Sequence, residues 1–387
     1  MTESSDKRPA MKDGLVKRGS TWSYVVRVKD PVTGRTKPEW HGGYPTRKAA
    51  MAARDDARSA SNKGTYVARK NITVGQWLDQ WVKAHSVELK PSTAHFYRHK
   101  IDIYLKPAIG GEQMQALSPM MLSVVFAKMQ ESGGHDGAAL SATTVQHARA
   151  VLRKALNDAV VERIIPLNPV TGSKAPKTTK PKQVTWTGEQ QRAFLGATEQ
   201  TRWGIVWLVA LATGMRRGEL CALTWAHVDL RAGLISVERS ATQLGQQIVT
   251  TDTKNHENRT VALDPKTVAA LKAWRKQQAS ERLEWGPAYE DTDGLVFTWE
   301  NGARVFPDYF TKAFLAAQKG TCLPRMTLHG TRHTHATTLL REGVTVHIVS
   351  KRLGHKDPSV TLNVYADAIP KDDDRAVEVF AKAVWGA

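Results

Sequence analysis

Two cysteines, Cys221 and Cys322, are all that 387 residues contain. So few exclude a disulfide framework and fit a reducing compartment. No Cys-x-x-Cys and no His-Glu-x-x-His occurs, so no zinc signature is present. No glycine is followed by lysine, which removes the phosphate-binding P-loop and any sequence reason to expect ATP. Long apolar runs are missing: the longest, residues 205–212, falls far short of the ~20 residues that cross a bilayer. The first residues hold no apolar signal region. No cofactor, metal or membrane is expected, and the chain reads as soluble and cytoplasmic. Acidic residues are also short, 37 Asp and Glu against 55 Lys and Arg, a net charge of +18. Solubility of a small domain needs only about 2–8 charges, so the excess predicts an anionic partner such as nucleic acid.

What is present is globular. Hydrophobic residues make up 41% and charged residues 24%, and the length suggests two or three domains. Residues 1–70 carry 16 Lys and Arg against 7 Asp and Glu, so half the net charge lies in under a fifth of the chain. Residues 1–13 are polar and read as a disordered tail. Over 14–66 the pattern is strand, turn, strand, helix. Trp22, Tyr24, Val26 and Val28 alternate with Ser23, Val25, Arg27 and Lys29. Asp30 to Gly34 supply a turn, 35–41 a return strand, and Thr46 caps a helix to about Ser61. A small sheet backed by one helix, basic on its open face through Arg27 and Lys29, fits a major groove; the plainer alternative is a solubility or docking module.

Residues 72–170 read as all-helical. Four apolar stripes carry it: Trp77, Leu78, Trp81 and Val82; then Phe96, Tyr97, Ile101 and Leu105; then Leu122, Val125, Phe126 and Met129; then Val145, Ala148, Leu152, Ala155, Leu156 and Ala159. Arg98, Arg149 and Arg153 are candidates for phosphate contact, against the plainer reading of a solvated charged face. Residues 171–183 form a basic linker with Lys174, Lys177 and Lys180 and two prolines, expected to be extended. Domains joined by it could close around a duplex like a clamp.

The last domain, 184–387, is expected to be mainly helical with a small antiparallel sheet. An apolar helix ends at Gly214, followed by Met215-Arg216-Arg217-Gly218-Glu219-Leu220. Strands are expected at 234–239, 247–253 and 259–263, with Lys254 in the turn between the last two. Near the end stand His329-Gly-Thr-Arg332-His333, then Leu353-Gly354-His355, then Tyr365. A helix is expected over 332–342, stopped by Gly343. A second ends at Gly354, and a third starts from Asp357 and Pro358. A tail helix closes the chain with a stripe of Val377, Phe380, Ala381 and Val384. It is expected to fold back on its own domain or to dock on a neighbour.

Each residue alone has an ordinary structural explanation. Their order and spacing together resemble the tyrosine recombinase, or phage integrase, family. Thr-Gly-x-Arg-x-Gly-Glu-Leu is similar to its first arginine motif, and His-x-x-Arg, Leu-Gly-His and the following Tyr to its C-terminal box. One departure is Gly330, where many members carry an acidic residue; it is expected to loosen the turn without changing the roles. The N-terminal pattern is similar to the arm-type DNA-binding domain of integrases, and the helical segment to the core-binding domain. The resemblance implies a catalytic set of Arg216, Lys254, His329, Arg332, His355 and Tyr365. Tyr365 would be the nucleophile, Arg216 and Arg332 the phosphate grips, and His329 the general base. Lys254 would be the general acid and His355 a hydrogen-bond donor. It implies cutting and rejoining of double-stranded attachment sites, core and arm, through a 3′-phosphotyrosyl intermediate and a Holliday junction. A homotetramer would do this, with a host DNA-bending protein and an excision factor as further partners, to integrate a phage or mobile element. The rival readings are a type IB topoisomerase, a chromosome-dimer resolvase and a non-catalytic DNA-binding regulator.

Overall fold

The computed structural model describes residues 13–29, 36–62, 66–68, 70–178, 183–252, 258–291, 293–365 and 373–386. The expected tail of residues 1–12, the turn after Lys29, Lys180 and Lys254 lie outside them. The chain forms two compact units, 1–179 and 180–387.

In the first unit, β1 (Leu15–Arg18), β2 (Thr21–Lys29) and β3 (Thr36–Tyr44) make an antiparallel sheet in sequence order. Leu15, Tyr24 and Val26 are buried with Ala50 of α1 (Arg47–Asn62). The strand alternation is interrupted by an irregularity between Trp22 and Tyr24, which turns Ser23 inward as well. Thr46 starts α1 as expected, its hydroxyl accepting from Ala49 N–H at 3.1 Å.

The helical part contains α2 (Val74–His85), α3 (Pro91–Lys100), α4 (Lys106–Ile109), α5 (Pro119–Ser132) and α6 (Ala142–Val161). The four stripes meet in one core, with Leu78, Ile101, Leu105, Leu122, Leu152 and Leu156 fully enclosed. A π-helical turn, Ile101–Leu105, joins α3 to α4. Pro107 follows and cannot donate to the carbonyl four residues back; Lys106 N–H bonds to Ile101 O, five residues back. The stretch expected to begin an extended linker is instead tied down as far as Pro176. Arg149 donates to Val170 O at 2.8 Å and Ser173 O at 3.1 Å, and Gln146 to Pro176 O at 2.8 Å. Lys174 N–H donates to Ser123 Oγ at 3.0 Å.

The second unit runs α7 (Gly188–Thr198), α8 (Gly204–Thr213), α9 (Arg217–Cys221), β4 (Val228–Asp229), β5 (Leu234–Val237), β6 (Arg239–Leu244), β7 (Gln247–Asp252) and β8 (Arg259–Ala262). Then come α10 (Pro265–Trp285), α11 (Pro307–Ala317), α12 (Leu328–Arg341), α13 (Val346–Leu353), α14 (Pro358–Tyr365) and α15 (Asp373–Trp385). The aromatic core gathers Trp186, Phe194, Trp207, Phe310 and Phe314, each worth roughly 1.5–3 kcal/mol on burial.

The sheet differs from expectation. β5 pairs with β4 and β8, while β6 and β7 form a separate hairpin. The extra strand, Arg-Ser-Ala-Thr-Gln-Leu, has too little apolar alternation to stand out. β7 and β8 belong to different sheets and do not pair with each other. α12 begins earlier than expected, because the Thr327 hydroxyl caps it by accepting from Gly330 N–H at 3.1 Å. Gly330 therefore does not loosen the turn: it is buried, and a Cβ there would run into Met326 Cγ. In α15 the stripe is not buried against its own domain: Val377, Phe380 and Val384 are all exposed.

Candidate active site

The site is assembled from three turns. Gly214, at φ +65°, ends α8 in the left-handed region, and a Cβ there would lie 2.9 Å from the His335 and Leu353 side chains. The chain then reverses, so that Arg216 caps α9. Its N–H donates to Glu219 Oε2 and its Nη1 to Glu219 Oε1, both at 2.8 Å. The second turn is the start of α12, where His329 lies in the first helical turn and Arg332 one turn on. The third is Gly354, at φ +66°, which ends α13 and presents His355.

Arg332 ties these turns together. Its Nη1 donates to Gly214 O at 2.9 Å and its Nη2 to Leu353 O at 2.6 Å. Only 2% of the residue is exposed. Burial works against its charge first, and Arg216 next, while Glu219 favours it. A guanidinium in a protein nevertheless keeps its proton.

The same two arginines mark every other group of the set that is described. Burial lowers His329, with Arg332 and Arg216 adding to the effect. Burial lowers His355 to about 4, again with Arg332 and Arg216. Burial raises the Tyr365 hydroxyl to about 12, and Arg332 and Arg216 oppose that rise. His329, His355 and Tyr365 each feel the charge of Arg216 and Arg332, although the five are spread over some 150 residues of sequence. His355 Nδ1 shares a 2.7 Å hydrogen bond with the hydroxyl of Thr361, which is fully buried.

Other residues complete the site without having been singled out. His333 packs its ring on His329, centroids 5.0 Å apart, and on Tyr365, 5.5 Å apart. Its Nδ1 is buried without a partner, and burial lowers it to about 4. The i, i+4 spacing of His329 and His333 on one helix face was the available signal. His335 lies between Leu211 O, 2.8 Å from Nδ1, and Arg352 Nε, 3.0 Å from Nε2. Arg259 forks onto Glu219, and nothing in the sequence marked that contact.

The basic candidates of the first unit divide. Arg149 is engaged with its own domain's carbonyls. Arg98 pairs with Asp79 at 3.1 Å on an exposed face. Arg27, Arg153, Lys174 and Lys177 are exposed. No helix among the described residues is long and apolar enough to cross a membrane.

Three family models match in chain order: Arm DNA-binding domain over 15–57, Phage integrase, N-terminal SAM-like domain over 73–123, and Phage integrase family over 186–371. The tyrosine recombinase XerC-like protein of Caldanaerobacter subterraneus is 27% identical, over 95% of this chain and 98% of its own length. The Tn1549 transposon integrase, solved in complex with a circular intermediate DNA, superposes with a TM-score of 0.66 at 22% identity. The match covers 79% of this chain and 99% of that one. The lambda integrase tetramer bound to a Holliday junction gives a TM-score of 0.57 at 17% identity, covering 90% of this chain and 97% of that one. With three motif-bearing turns drawn to one pair of arginines and the models in integrase order, the chain belongs to the phage integrase family of tyrosine recombinases, enzymes of site-specific DNA recombination.

Proposed function

We propose that the chain integrates a phage or mobile element through a 3′-phosphotyrosyl intermediate, with Tyr365 as nucleophile. The observation that supports this is geometric: Arg332 donates to the carbonyls of Gly214 and Leu353, in the turns that lead to Arg216 and His355, and the His333 ring packs on both His329 and Tyr365. A buried phenol with its pKa near 12 is a poor nucleophile at neutral pH. A scissile phosphate gripped by both guanidiniums adds an electrophile, and their fixed charge stabilises the pentavalent transition state. His329, depressed and neutral, is the general base that takes the phenolic proton. Tyr365 Oη bonds to phosphorus, the bond to the 5′ oxygen breaks, and Lys254 protonates that leaving oxygen. With the Thr361 hydroxyl donating to Nδ1, His355 offers Nε2–H to a non-bridging oxygen. Arginine charge does the electrostatic work in this scheme.

The phosphotyrosyl bond conserves the energy of the broken phosphodiester, so a free 5′-hydroxyl from a second duplex can reverse the step without ATP. Repeated in a homotetramer, this exchange passes through a Holliday junction. Residues 14–66 would bind arm sites and 72–170 the core site, with a host DNA-bending protein and an excision factor as partners.

Tyr365→Phe removes only the attacking oxygen. A protein–DNA adduct that withstands denaturant should form with the wild-type protein and sheared genomic DNA carrying the attachment sites, and should vanish with Tyr365→Phe. An adduct that persists in the variant would falsify the assignment.

A further inference from the structure

We propose that Arg259 is a positioning residue whose buried charge balances Glu219 and so leaves Arg216 with its positive charge for the scissile phosphate. The inference rests on reading Arg216 as a phosphate grip.

Glu219 is 2% exposed and lies against Arg216. A buried carboxylate alone with one guanidinium forms a neutral pair, and a neutral pair is a weak attractor for a phosphate. Arg259 changes the count. Its Nη1 donates to Glu219 Oε1 at 3.0 Å and its Nη2 to Oε2 at 2.6 Å, a two-pronged fork. One carboxylate thus serves two guanidiniums, and the triad keeps one net positive charge. Exposure decides where that charge acts. The Arg259 side chain is 6% exposed and that of Arg216 42%, so the surplus faces outward through Arg216. Burial alone would raise the Glu219 carboxyl; the Arg259 fork and then Arg216 more than offset it and hold the carboxyl below its usual range.

Arg259 also braces the turn that presents His355. Its Nε donates to Arg352 O at 3.0 Å. A Cβ on Gly354 would come within 3.0 Å of Arg259 Cδ, so the glycine leaves room for the side chain as well as adopting its positive φ. The residue opens β8 directly after the segment that contains Lys254. Its charge is felt at Arg332 and at His355.

The test uses full-length protein and a nicked duplex built on the sequence that the wild-type chain traps covalently. One version carries the normal phosphodiester at the scissile position, the other a methylphosphonate, which lacks the negative charge. Arg259→Gln should slow cleavage of the phosphodiester by ~100-fold, as loss of a transition-state charge does. The loss on the methylphosphonate should be about tenfold smaller, because less positive charge is needed there. Adding Glu219→Gln to Arg259→Gln removes the uncompensated carboxylate and should recover roughly tenfold on the phosphodiester. Equal losses on both substrates, or a double variant no faster than Arg259→Gln, overturn the proposal, since a brace without an electrostatic role would give that result. Should Arg259→Gln fail to fold, Arg259→Lys keeps the charge and should leave the ratio of the two rates unchanged; an altered ratio overturns it. Arg216→Ala is measured alongside. Full activity in that variant would sink the reading of Arg216 itself, whatever Arg259 does.

Discussion

An arginine as buried as Arg332 needs acceptors, and it finds them in carbonyls from two different turns. Removing it would unpair Gly214 O and Leu353 O as well as remove charge, so its substitution mixes structural and chemical losses. Lys254 offers a cleaner experiment at this scale. A general acid matters only when the leaving group needs a proton. Replacing the 5′-bridging oxygen by sulfur gives a leaving group that departs as an anion. Lys254→Ala should be slow on ordinary DNA and largely restored on the sulfur-bridged duplex, whereas Arg216→Ala should not be restored. Equal defects of Lys254→Ala on both duplexes, measured in single-turnover cleavage, would rule out the acid role.

The elements are where basic residues acquire distinct jobs. Arg149 has the sequence profile of a phosphate contact, yet on α6 it holds the segment 170–173 through Val170 O and Ser173 O. Unpaired carbonyls cost about 1–3 kcal/mol when left without a donor or water. Arg149→Ala should therefore lower the melting temperature of the helical domain. The salt dependence of DNA binding should hardly change, because each true phosphate contact contributes ~0.9 to the log–log slope. A slope that falls by about one, with an unchanged melting temperature, would return Arg149 to the DNA-contacting group. Arg153, exposed on the same helix, is the natural control.

At the scale of the whole molecule, the concentration of charge before residue 70 and the histidines of the catalytic unit both have measurable consequences. Deleting residues 1–66 leaves the six proposed catalytic positions in place. The truncated protein should still cleave a core-site duplex and should fail in full recombination, where arm sites must be bridged. Restoration of recombination simply by raising its concentration would mean the segment supplies only nonspecific charge. Acid stability follows from His333, His335 and His355, each lowered to about 4, with burial the largest cause. In the unfolded chain they titrate near 6.5. Between those values the unfolded state binds more protons, so stability falls as pH drops from about 6.5 to about 4. Urea midpoints across that range should decline with pH, and a flat profile would contradict the burial of these rings.

Much was legible before folding. Gly214, Gly343 and Gly354 mark helix ends because only glycine adopts positive φ cheaply, and all three do so. Stripes at 3.6 spacing identified α2, α5 and α6 because burial of one face is what stabilises such helices. Motif spacing singled out the proposed catalytic set, of which Arg216, His329, Arg332, His355 and Tyr365 lie among the described residues. α10 has a clear local start, with Asp264 as its N-cap and Pro265 at the first helical position. Other features had no local signature. β6 pairs only with β7, and its residues carry little alternation, so pairing and not pattern makes it a strand. The division of labour among arginines was equally hidden: Arg149 and Arg259 look like any exposed base in sequence. Side-chain hydrogen bonding between residues 21 to 93 positions apart has no periodicity to betray it. The chain by itself determined where helices stop and which faces they bury, since local sterics and apolar spacing decide those. Tertiary structure alone decided which charges are buried, which carbonyls they serve and which remain free to meet DNA, because desolvation and long-range contact exist only once the turns have met.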